Sequence, residues 1–268
     1  MFRILFFLFC SIHFIIADVF TPEELNKLKP DYDDSLHRVI KYKPFDVGEK
    51  FIFNIHYGMI SAGKSIMEIT GIKEVDNHLC YELRVINKTN SFFDKMYKVR
   101  DTILSYFDYD GIYSIRYEKH LREGKYRQDR IEIYDQDNHY VYSKKKWRKI
   151  KPFTLDALCA FYYIRTRTLI PGHDIFFENH TDGKNYSIRV KVLKKEIIKT
   201  KFGKVKTIKI MPLMKDPGVF KATGKITIWL TDDSLKIPVK MKSKVIVGSF
   251  SADLIEYYGT KLNIIKKN

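Results

Sequence analysis

The stretch IYSIRYEKHLREGKYRQDRIEIYDQ, residues 112–136, contains two runs of alternating side chains separated by a glycine-containing dipeptide at 123–124. Successive side chains of a strand point to opposite faces, so Tyr113, Ile115 and Tyr117 are predicted to share the buried face of the first run. A short loop with glycine between two such runs is typical of a β-hairpin. The stretch therefore predicts two antiparallel strands joined by a tight turn.

The same pattern recurs along the chain from Phe45 onward, in runs such as FIFNIHYG, NYSIRVKVL, KITIWLTDD and PVKMKSKVIVG. Further turn signals lie at 110–111, 182–183, 202–203 and 223–224. About ten or more strands joined by short turns form a sheet that tends to curl or close, which hides its edges. The predicted fold is all-β with minor α content: a long antiparallel meander curled into a closed or half-open β-barrel.

One segment interrupts the alternation, FTLDALCAFYYIRTRTLIPG at residues 153–172. Thr154 is a suitable N-cap, and Asp156 in the first turn would favour the helix dipole. Apolar residues follow at helical spacing, and Pro-Gly ends the segment. These signals predict one inserted helix, near 154–166, that packs across a mouth or an open side of the curved sheet.

The first residues, MFRILFFLFCSIHFIIA, combine one arginine, no acidic residue and an apolar run of about a dozen residues. This is typical of a secretory signal peptide, here 1–17, with an uncleaved anchor as the alternative. The remaining predicted organisation is a lead-in or linker at 18–44, a single β domain at 45–260 and a basic tail at 261–268. The predicted location is the periplasm or outer envelope of a Gram-negative bacterium.

The formal net charge is +16 at pH 7. Such a charge favours an anionic partner, such as anionic lipid, lipopolysaccharide or polysaccharide, and a peripheral membrane contact. The favoured interpretation is a solvated surface, because the lysines are spread through every segment. The densest basic run is YSKKKWRKIK at 142–151. Behind a signal peptide it predicts either a solvated loop or a contact with an anionic membrane or polysaccharide, and no nucleic acid partner.

Asp101 lies on the apolar face of the run YKVRDTILSYFD, residues 97–108, where an unpaired charge would be costly. The next hairpin is predicted to place Arg127 and Asp129 on its own apolar face. One interpretation is a buried network in which Asp101 pairs with Arg127 or Arg100 and fixes the strand register. The other is a cavity whose charged lining binds a polar headgroup or sugar.

The predicted function is a non-enzymatic carrier or binding protein for a lipid, glycolipid or polysaccharide in a concave β-barrel. The alternative is a structural or assembly partner of an envelope complex without a ligand cavity; a glycan-active enzyme using Glu123, Asp232 and Asp233 is less favoured. Asp232 and Asp233 are adjacent and would point to opposite faces of a strand, so a turn is the simpler interpretation. The predicted ligand-binding residues are Arg100, Asp101, Arg127, Arg165 and Trp229.

No catalytic residue, metal site or cofactor is predicted. The histidines show no metal-ligand spacing, and GxSxG and glycine-rich phosphate loops are absent from the sequence. Cys80 and Cys159, the cysteines that follow the leader, have neither CxxC spacing nor a fixed relation to each other. A disulfide and two separate buried thiols both remain open from the residues alone.

Six ordered blocks resemble the bacterial exported family called domain of unknown function 3108. The resemblance covers roughly residues 44–255 and implies an exported envelope β protein, without any catalytic residue. By analogy, the fold is similar to periplasmic lipid carriers of the half-barrel type. Cys159 departs from the family pattern, which implies that a conserved disulfide is absent. The blocks are PFDVGEKFIFNIHYGMISAGKSIMEI, SFFDKMYKVRDTILSYFD, HLREGKYRQDRIEIYDQ, LDALCAFYYIRTRTLIPG, GKVKTIKIMP and GKITIWLTDDSLKIPVKMKSKVIVGSFSADL.

Overall fold

The structure is a computed structural model that describes residues 38–214, 226–244 and 249–259. The predicted leader at 1–17, most of the lead-in and the basic tail at 261–268 lie outside the described residues. The strands are β1 Lys50–Tyr57, β2 Ile60–Val75, β3 His78–Thr89, β4 Arg100–Asp108, β5 Ser114–Glu123, β6 Tyr126–Asp135, β7 Tyr140–Ser143, β8 Lys146–Lys149, β9 Ile175–Thr181, β10 Lys184–Thr200, β11 Gly203–Met214, β12 Ile226–Thr231, β13 Pro238–Lys244 and β14 Ser249–Tyr258. The helices are α1 Ser91–Tyr97 and α2 Ala157–Arg165.

Alternation decides which face of β5 is buried, as the sequence predicts. In β5, Ile115 and Tyr117 are buried, whereas Arg116 between them is partly exposed. The turn that joins β5 to β6 passes through Gly124, whose φ of +55° is a conformation that side chains with a Cβ rarely adopt. The stretch at residues 112–136 therefore forms the predicted hairpin, with β5 and β6 as its two strands.

All strands belong to one antiparallel sheet of fourteen strands, in the order β8-β7-β6-β5-β4-β3-β2-β1-β14-β13-β12-β11-β10-β9. Most neighbours in this order are also neighbours in sequence, so the sheet is a meander. The exception is the pair β1 and β14, which joins the two ends of the meander in the middle of the sheet. The hydrogen-bond ladder is not closed, because β8 and β9 form its two edges.

The two edges meet through a single bridge and side chains instead of a continuous ladder. Leu155 forms an isolated parallel bridge with Asn179 of β9, and the backbone N–H of His180 donates to the Leu155 carbonyl at 3.0 Å. Asn185 Nδ2 donates to the carbonyl of Lys149, the last residue of β8, at 2.7 Å. We call this junction, formed by Leu155 and the β9–β10 hairpin against β6 and β8, the seam. The curled sheet is therefore barrel-like without being a hydrogen-bonded barrel.

The inserted helix α2 begins later than the sequence predicts. Asp156 is the N-cap, because its Oδ1 accepts hydrogen bonds from the backbone N–H groups of Leu158 and Cys159 at 2.8 and 3.0 Å. Thr154 was the predicted N-cap, but its neighbour Leu155 is extended in the seam bridge, which delays the first helical turn. The difference follows from a tertiary contact that local sequence does not reveal.

Helix α2 crosses one end of the curled sheet and is buried on nearly all sides. At its N-terminus, Asp156 Oδ2 accepts hydrogen bonds from Ser105 of β4 and Ser114 of β5 at 2.8 and 2.5 Å. At its C-terminus, Arg165 forms a buried ion pair with Glu49, just before β1. A helix that is apolar all round belongs inside a core, and α2 fills this end of the interior.

A second helix, α1, lies where the sequence analysis predicts only strand. Asn90 caps α1, and its side-chain oxygen accepts a hydrogen bond from the Phe93 backbone N–H at 3.0 Å. Tyr97, predicted as the first residue of a strand, is the last residue of α1, and β4 begins at Arg100. Helix α1 lies at the end of the sheet opposite α2, next to the β1–β2 turn.

The two cysteines are separate, buried thiols. Burial raises the pKa of the Cys80 thiol to about 12 and also raises that of Cys159. Of the two sequence interpretations, the structure matches the one with free thiols. None of the helices in the described segments is long and apolar enough to cross a bilayer.

Candidate functional site

The inward face of β2–β6 carries buried polar groups at positions where a core would hold apolar side chains. In register across neighbouring strands, Ser65 pairs with Asn87 and Asn87 with Asp101, while Lys119 pairs with Arg130. All five of these residues are buried. They lie toward the end of the interior that faces away from α2. We call the following set the inner polar patch: Ser65, Asp101, Lys119, Gln128, Arg130 and, from the β9–β10 turn, Asp182.

Asp101 is fully buried and forms no ion pair within the described residues. Its Oδ1 accepts a hydrogen bond from the backbone N–H of Arg122 at 2.9 Å, and its Oδ2 has no partner among the described residues. Burial raises the pKa of the Asp101 carboxyl from 3.8 to about 6, against the opposing effects of that hydrogen bond and of the charges of Arg122 and Lys119. The predicted pairing of Asp101 with Arg127 or Arg100 is therefore wrong.

The two cations of the inner polar patch converge on one carboxylate. Arg130 Nη1 contacts Asp182 Oδ1, and Lys119 Nζ lies 3.4 Å from the same oxygen. Arg130 Nε also lies 3.3 Å from Oε1 of Glu132. Arg130 Nη2 and Asp182 Oδ2 are buried without a hydrogen-bond partner in the part of the chain that the structure describes. The patch thus holds a donor and an acceptor that the protein itself does not satisfy.

The inward face of β6 is the opposite of the predicted one. Gln128 and Arg130 point inward, whereas Arg127 and Asp129 are exposed and Ile131 is only half-buried on the outer face. The prediction treated Ile131 and Ile133 as markers of the interior, but the outer face of β6 carries these two isoleucines. The interior of this strand is polar because its charged side chains meet partners from the β9–β10 turn.

The three predicted arginines do not converge on one site. Arg100 lies on the outer surface, where its Nη2 bonds Asp94 Oδ2 at 2.6 Å. Arg127 is exposed and donates to the carbonyl of Gly124 at 2.8 Å, within its own turn. Arg165 is inside but at the α2 end, far along the strands from Asp101. Of the predicted residues, only Asp101 belongs to the inner polar patch.

Arg165 is a fully engaged structural cation. Its Nη1 and Nη2 bond the two carboxylate oxygens of Glu49 at 2.6 and 2.7 Å, and Nη2 donates to the carbonyls of Pro44 and Leu235 at 3.2 and 3.1 Å. Burial lowers the pKa of the Arg165 guanidinium, but the charge of Glu49 and its hydrogen bonds outweigh this effect, so the pKa is raised above its ordinary value. Every nitrogen of this guanidinium therefore has a partner within the protein, and the side chain is fully buried.

The remaining candidates hold local structure. Trp229 lies on the outer face, opposite Ile228, and its Nε1 donates to Glu196 Oε1 at 2.7 Å. Asp233 accepts hydrogen bonds from the backbone N–H groups of the turn after β12, at 3.0 Å each, as the turn interpretation predicts. Asp232 instead pairs with Lys195 at 2.9 Å. The two carboxylates therefore point to different partners.

The wall that faces the inner polar patch across the curled sheet is apolar. In the strand order, β10–β13 lie about half-way round from β4–β6. Their inward side chains are buried and belong to the main apolar core. One wall of the interior therefore carries the inner polar patch beside apolar residues such as Ile103 and Ile115, whereas the other wall is mainly apolar. The inward residues of the apolar wall include Ile188, Val190, Ile210, Ile228 and Met241.

Lys119, Arg130 and Ser65 are site residues that the sequence analysis missed. For Lys119 a signal existed, because the alternation through Ile115 and Tyr117 continues in phase to residue 119. Arg130 was missed because the two isoleucines of β6, which lie on the outer face, led to the wrong prediction of which face of this strand is buried. The described segments contain no group of three metal-ligating side chains, so the patch offers hydrogen-bonding and charged groups as its chemistry.

Comparison with solved structures finds β-barrel-like architectures. A β-barrel-like protein of domain of unknown function DUF1849 from Brucella abortus has a TM-score of 0.56 at 12% identity, covering 81% of this chain and 99% of that one. At this identity the likeness concerns the fold alone. A weaker match is a candidate lipoprotein from Parabacteroides distasonis, with a TM-score of 0.36 at 10% identity, covering 83% of this chain and 100% of that one. Another is a candidate exported protein with a YmcC-like fold from Bacteroides fragilis, with a TM-score of 0.32 at 12% identity, covering 81% of this chain and 98% of that one.

A search of curated proteins gives no match. The sequence model of the family described as "Protein of unknown function (DUF3108)" matches residues 52–255. This range runs from β1 into β14 and so includes every strand of the sheet, the inner polar patch and α2. The resemblance in the six sequence blocks is thereby confirmed, and the chain belongs to the DUF3108 family.

Proposed function

We propose that this protein is a non-enzymatic carrier that binds an amphiphilic lipid or glycolipid inside the curled sheet. The inner polar patch would receive the polar head, and the apolar wall of β10–β13 the hydrocarbon part. The observation that carries the proposal is that Asp101 and Arg130 are buried on the inward face, each with a polar atom that lacks a partner among the described residues. Buried polar atoms are normally hydrogen-bonded, so such atoms favour a ligand or water at this site.

The chemistry of the patch favours a head that both donates and accepts hydrogen bonds. Arg130 Nη2 offers a donor, Asp101 Oδ2 an acceptor and the Ser65 hydroxyl either role. Sugar hydroxyls and phosphate-linked glycerol provide both kinds of group. An amphiphile with such a head matches the two-sided interior better than a polysaccharide, which has no apolar part.

An exported location is part of the proposal. It is supported by the predicted signal peptide at 1–17, which also favours the periplasm or outer envelope of a Gram-negative bacterium. A carrier in that compartment would hold a lipid away from water. The non-enzymatic assignment is supported by Asp232 and Asp233, which bind separate partners instead of flanking one bond.

Mass spectrometry of protein purified from the native compartment tests the proposal. We expect wild-type protein to carry a lipid-sized adduct under native conditions, released and identified after denaturation. Arg130→Gln should lower its occupancy about tenfold or more, because a charge-assisted contact to the head is lost. The matched control is Arg127→Gln, an exposed arginine on the same strand, which should keep the adduct.

Two results would contradict the proposal. Wild-type protein without any adduct would favour the alternative of an assembly partner that needs no ligand. Equal occupancy in Arg130→Gln and Arg127→Gln would remove the inner polar patch from the binding site. Arg130 also contacts Asp182, so Arg130→Gln changes an ion pair as well as the binding site. A second single variant, Ser65→Ala, is therefore tested separately, because it removes a hydroxyl that has no partner among the described residues and disturbs no ion pair. We expect Ser65→Ala to lower occupancy while the unfolding midpoint stays unchanged.

A further inference from the structure

The end of the sheet opposite α2 exposes a cluster of large apolar side chains. Met59 in the β1–β2 turn is 98% exposed and Ile60 57%, while Phe92 and Met96 of α1 are 63% and 56% exposed. The turn and the helix are neighbours, because Asn90 Nδ2 donates to the Ser61 carbonyl at 2.7 Å. We call Met59, Ile60, Phe92 and Met96 the docking rim. Contiguous exposed apolar groups of this kind mark contact surfaces.

Buried contacts of α1 with the sheet hold the docking rim in place. Phe93 of α1 is buried in a small cluster with Ala62, Val99 and Phe250. The backbone N–H of Asn90 donates to the Ala62 carbonyl at 3.0 Å. These contacts fix α1 against β2 and β14, with Phe93 buried and Phe92 and Met96 exposed on the other side of the helix.

The charge around the docking rim is strongly basic. Residues 57–64, 88–100 and 123–127 contain seven basic and two acidic residues. On the outer face, Lys64 lies in register with Lys88, and Lys88 with Arg100. Like charges directly opposite on neighbouring strands are unfavourable. Arg100 is compensated by Asp94, whereas Lys64 and Lys88 have no acidic partner among the described residues, so an external anion would relieve their repulsion.

We propose that the docking rim binds the surface of an anionic lipid bilayer. The apolar side chains would enter the interface, and the surrounding lysines would contact anionic headgroups, the combination that gives peripheral membrane binding. The docking rim lies at the strand ends that also carry the inner polar patch: Lys64 precedes Ser65 and Arg100 precedes Asp101. Docking would therefore place the polar end of the interior next to the membrane. This proposal does not require a bound ligand.

Vesicle co-sedimentation of the full chain at low salt tests the docking rim. Vesicles of phosphatidylcholine with about one-third phosphatidylglycerol should bind wild-type protein, and vesicles of phosphatidylcholine alone should bind it weakly. Met59→Ser with Phe92→Ser should lower the partition coefficient about tenfold or more, because two apolar groups no longer enter the interface. The matched control is Phe176→Ser with Ile197→Ser, which removes side chains that are 64% and 63% exposed elsewhere on the sheet.

The contribution of the lysines next to the docking rim is tested with a second pair of double variants, one at the rim and one control. Lys64→Gln with Lys88→Gln should weaken binding to the anionic vesicles about tenfold, whereas Lys199→Gln with Lys204→Gln should change it little. Lys199 and Lys204 are also exposed and in register, but they lie at the far end of β10 and β11. Absence of wild-type binding, or equal loss in rim and control variants, would overturn the proposal. The lipid content measured by mass spectrometry is independent of this result, so carrier function and membrane docking can fail separately.

Discussion

Asp101 illustrates how a single buried carboxyl can cost stability instead of providing it. Its only hydrogen bond to a described residue comes from the Arg122 backbone, and no cation contacts it. We expect Asp101→Asn to raise the free energy of unfolding at pH 7.5 by about 1–3 kcal/mol, since the amide oxygen can keep the hydrogen bond while the buried charge is removed. Urea unfolding of the two proteins measures this difference.

The pH dependence of this effect has a definite sign. The folded-state pKa of about 6 lies above the ordinary value of 3.8, so the folded state binds more protons than the unfolded state between these values. The contribution of Asp101 is therefore most favourable below pH 4 and is lost as the pH rises through 6. The advantage of Asp101→Asn should shrink accordingly at pH 4.

A control of the opposite sign is available on β6, two strands away from β4 in the sheet. The pKa of Asp129 is lowered: burial tends to raise it, but hydrogen bonds from His120 and Arg122 outweigh that effect. Asp129 is exposed, so Asp129→Asn should destabilise the protein slightly at pH 7.5. If Asp101→Asn were instead destabilising by several kcal/mol at pH 7.5, a buried ion pair would have to exist in solution.

At the scale of elements, α2 is fixed at its C-terminus by the Arg165–Glu49 pair. Arg165→Met leaves Glu49 buried and unpaired, and we expect it to cost about 3–5 kcal/mol in urea unfolding; Glu49→Leu should cost a similar amount. The double variant should be more stable than either single variant, because no uncompensated charge remains. Additive losses in this double-mutant cycle would contradict the pairing. The exposed pair Lys240–Asp253, at 2.8 Å, should show coupling of about 1 kcal/mol or less.

The elements also show which features local sequence can predict. The strands and hairpin turns follow from alternation and glycine placement, because both depend on neighbours along the chain. Which face of β6 is buried does not follow from alternation, because Arg130 points inward to reach Asp182, which lies 52 residues away in the sequence. The start of α2 is delayed for a related reason, because Leu155 bridges to a strand that follows the helix. Helix α1 was missed because its seven residues, SFFDKMY, are too few for a helical period.

The whole molecule depends on the seam, because no continuous ladder joins β8 to β9. Asp182 brings Lys119 and Arg130 to the β9–β10 turn. Asp182→Asn leaves both buried cations without this carboxylate, and we expect a loss of about 2–4 kcal/mol in urea unfolding. We also expect faster proteolysis at the β9–β10 turn, since the hairpin is released from β6.

Asp174, in the loop that leads into β9, provides the matched control. Its carboxylate pairs with Arg189, whose side chain is half-exposed. Asp174→Asn should cost about 1 kcal/mol or less and should leave the proteolysis rate unchanged. Equal effects of the two substitutions would show that the seam does not depend on Asp182.

The pairing of β1 with β14 sets the order of events during biosynthesis. These two strands lie side by side at the centre of the sheet, yet their paired residues Phe51 and Tyr257 are separated by 206 positions in the chain. A nascent chain that lacks β14 exposes a free edge on β1, so the two arcs of the meander remain unjoined until β14 has been synthesised. Such distant pairing slows folding and prolongs the need for chaperone protection.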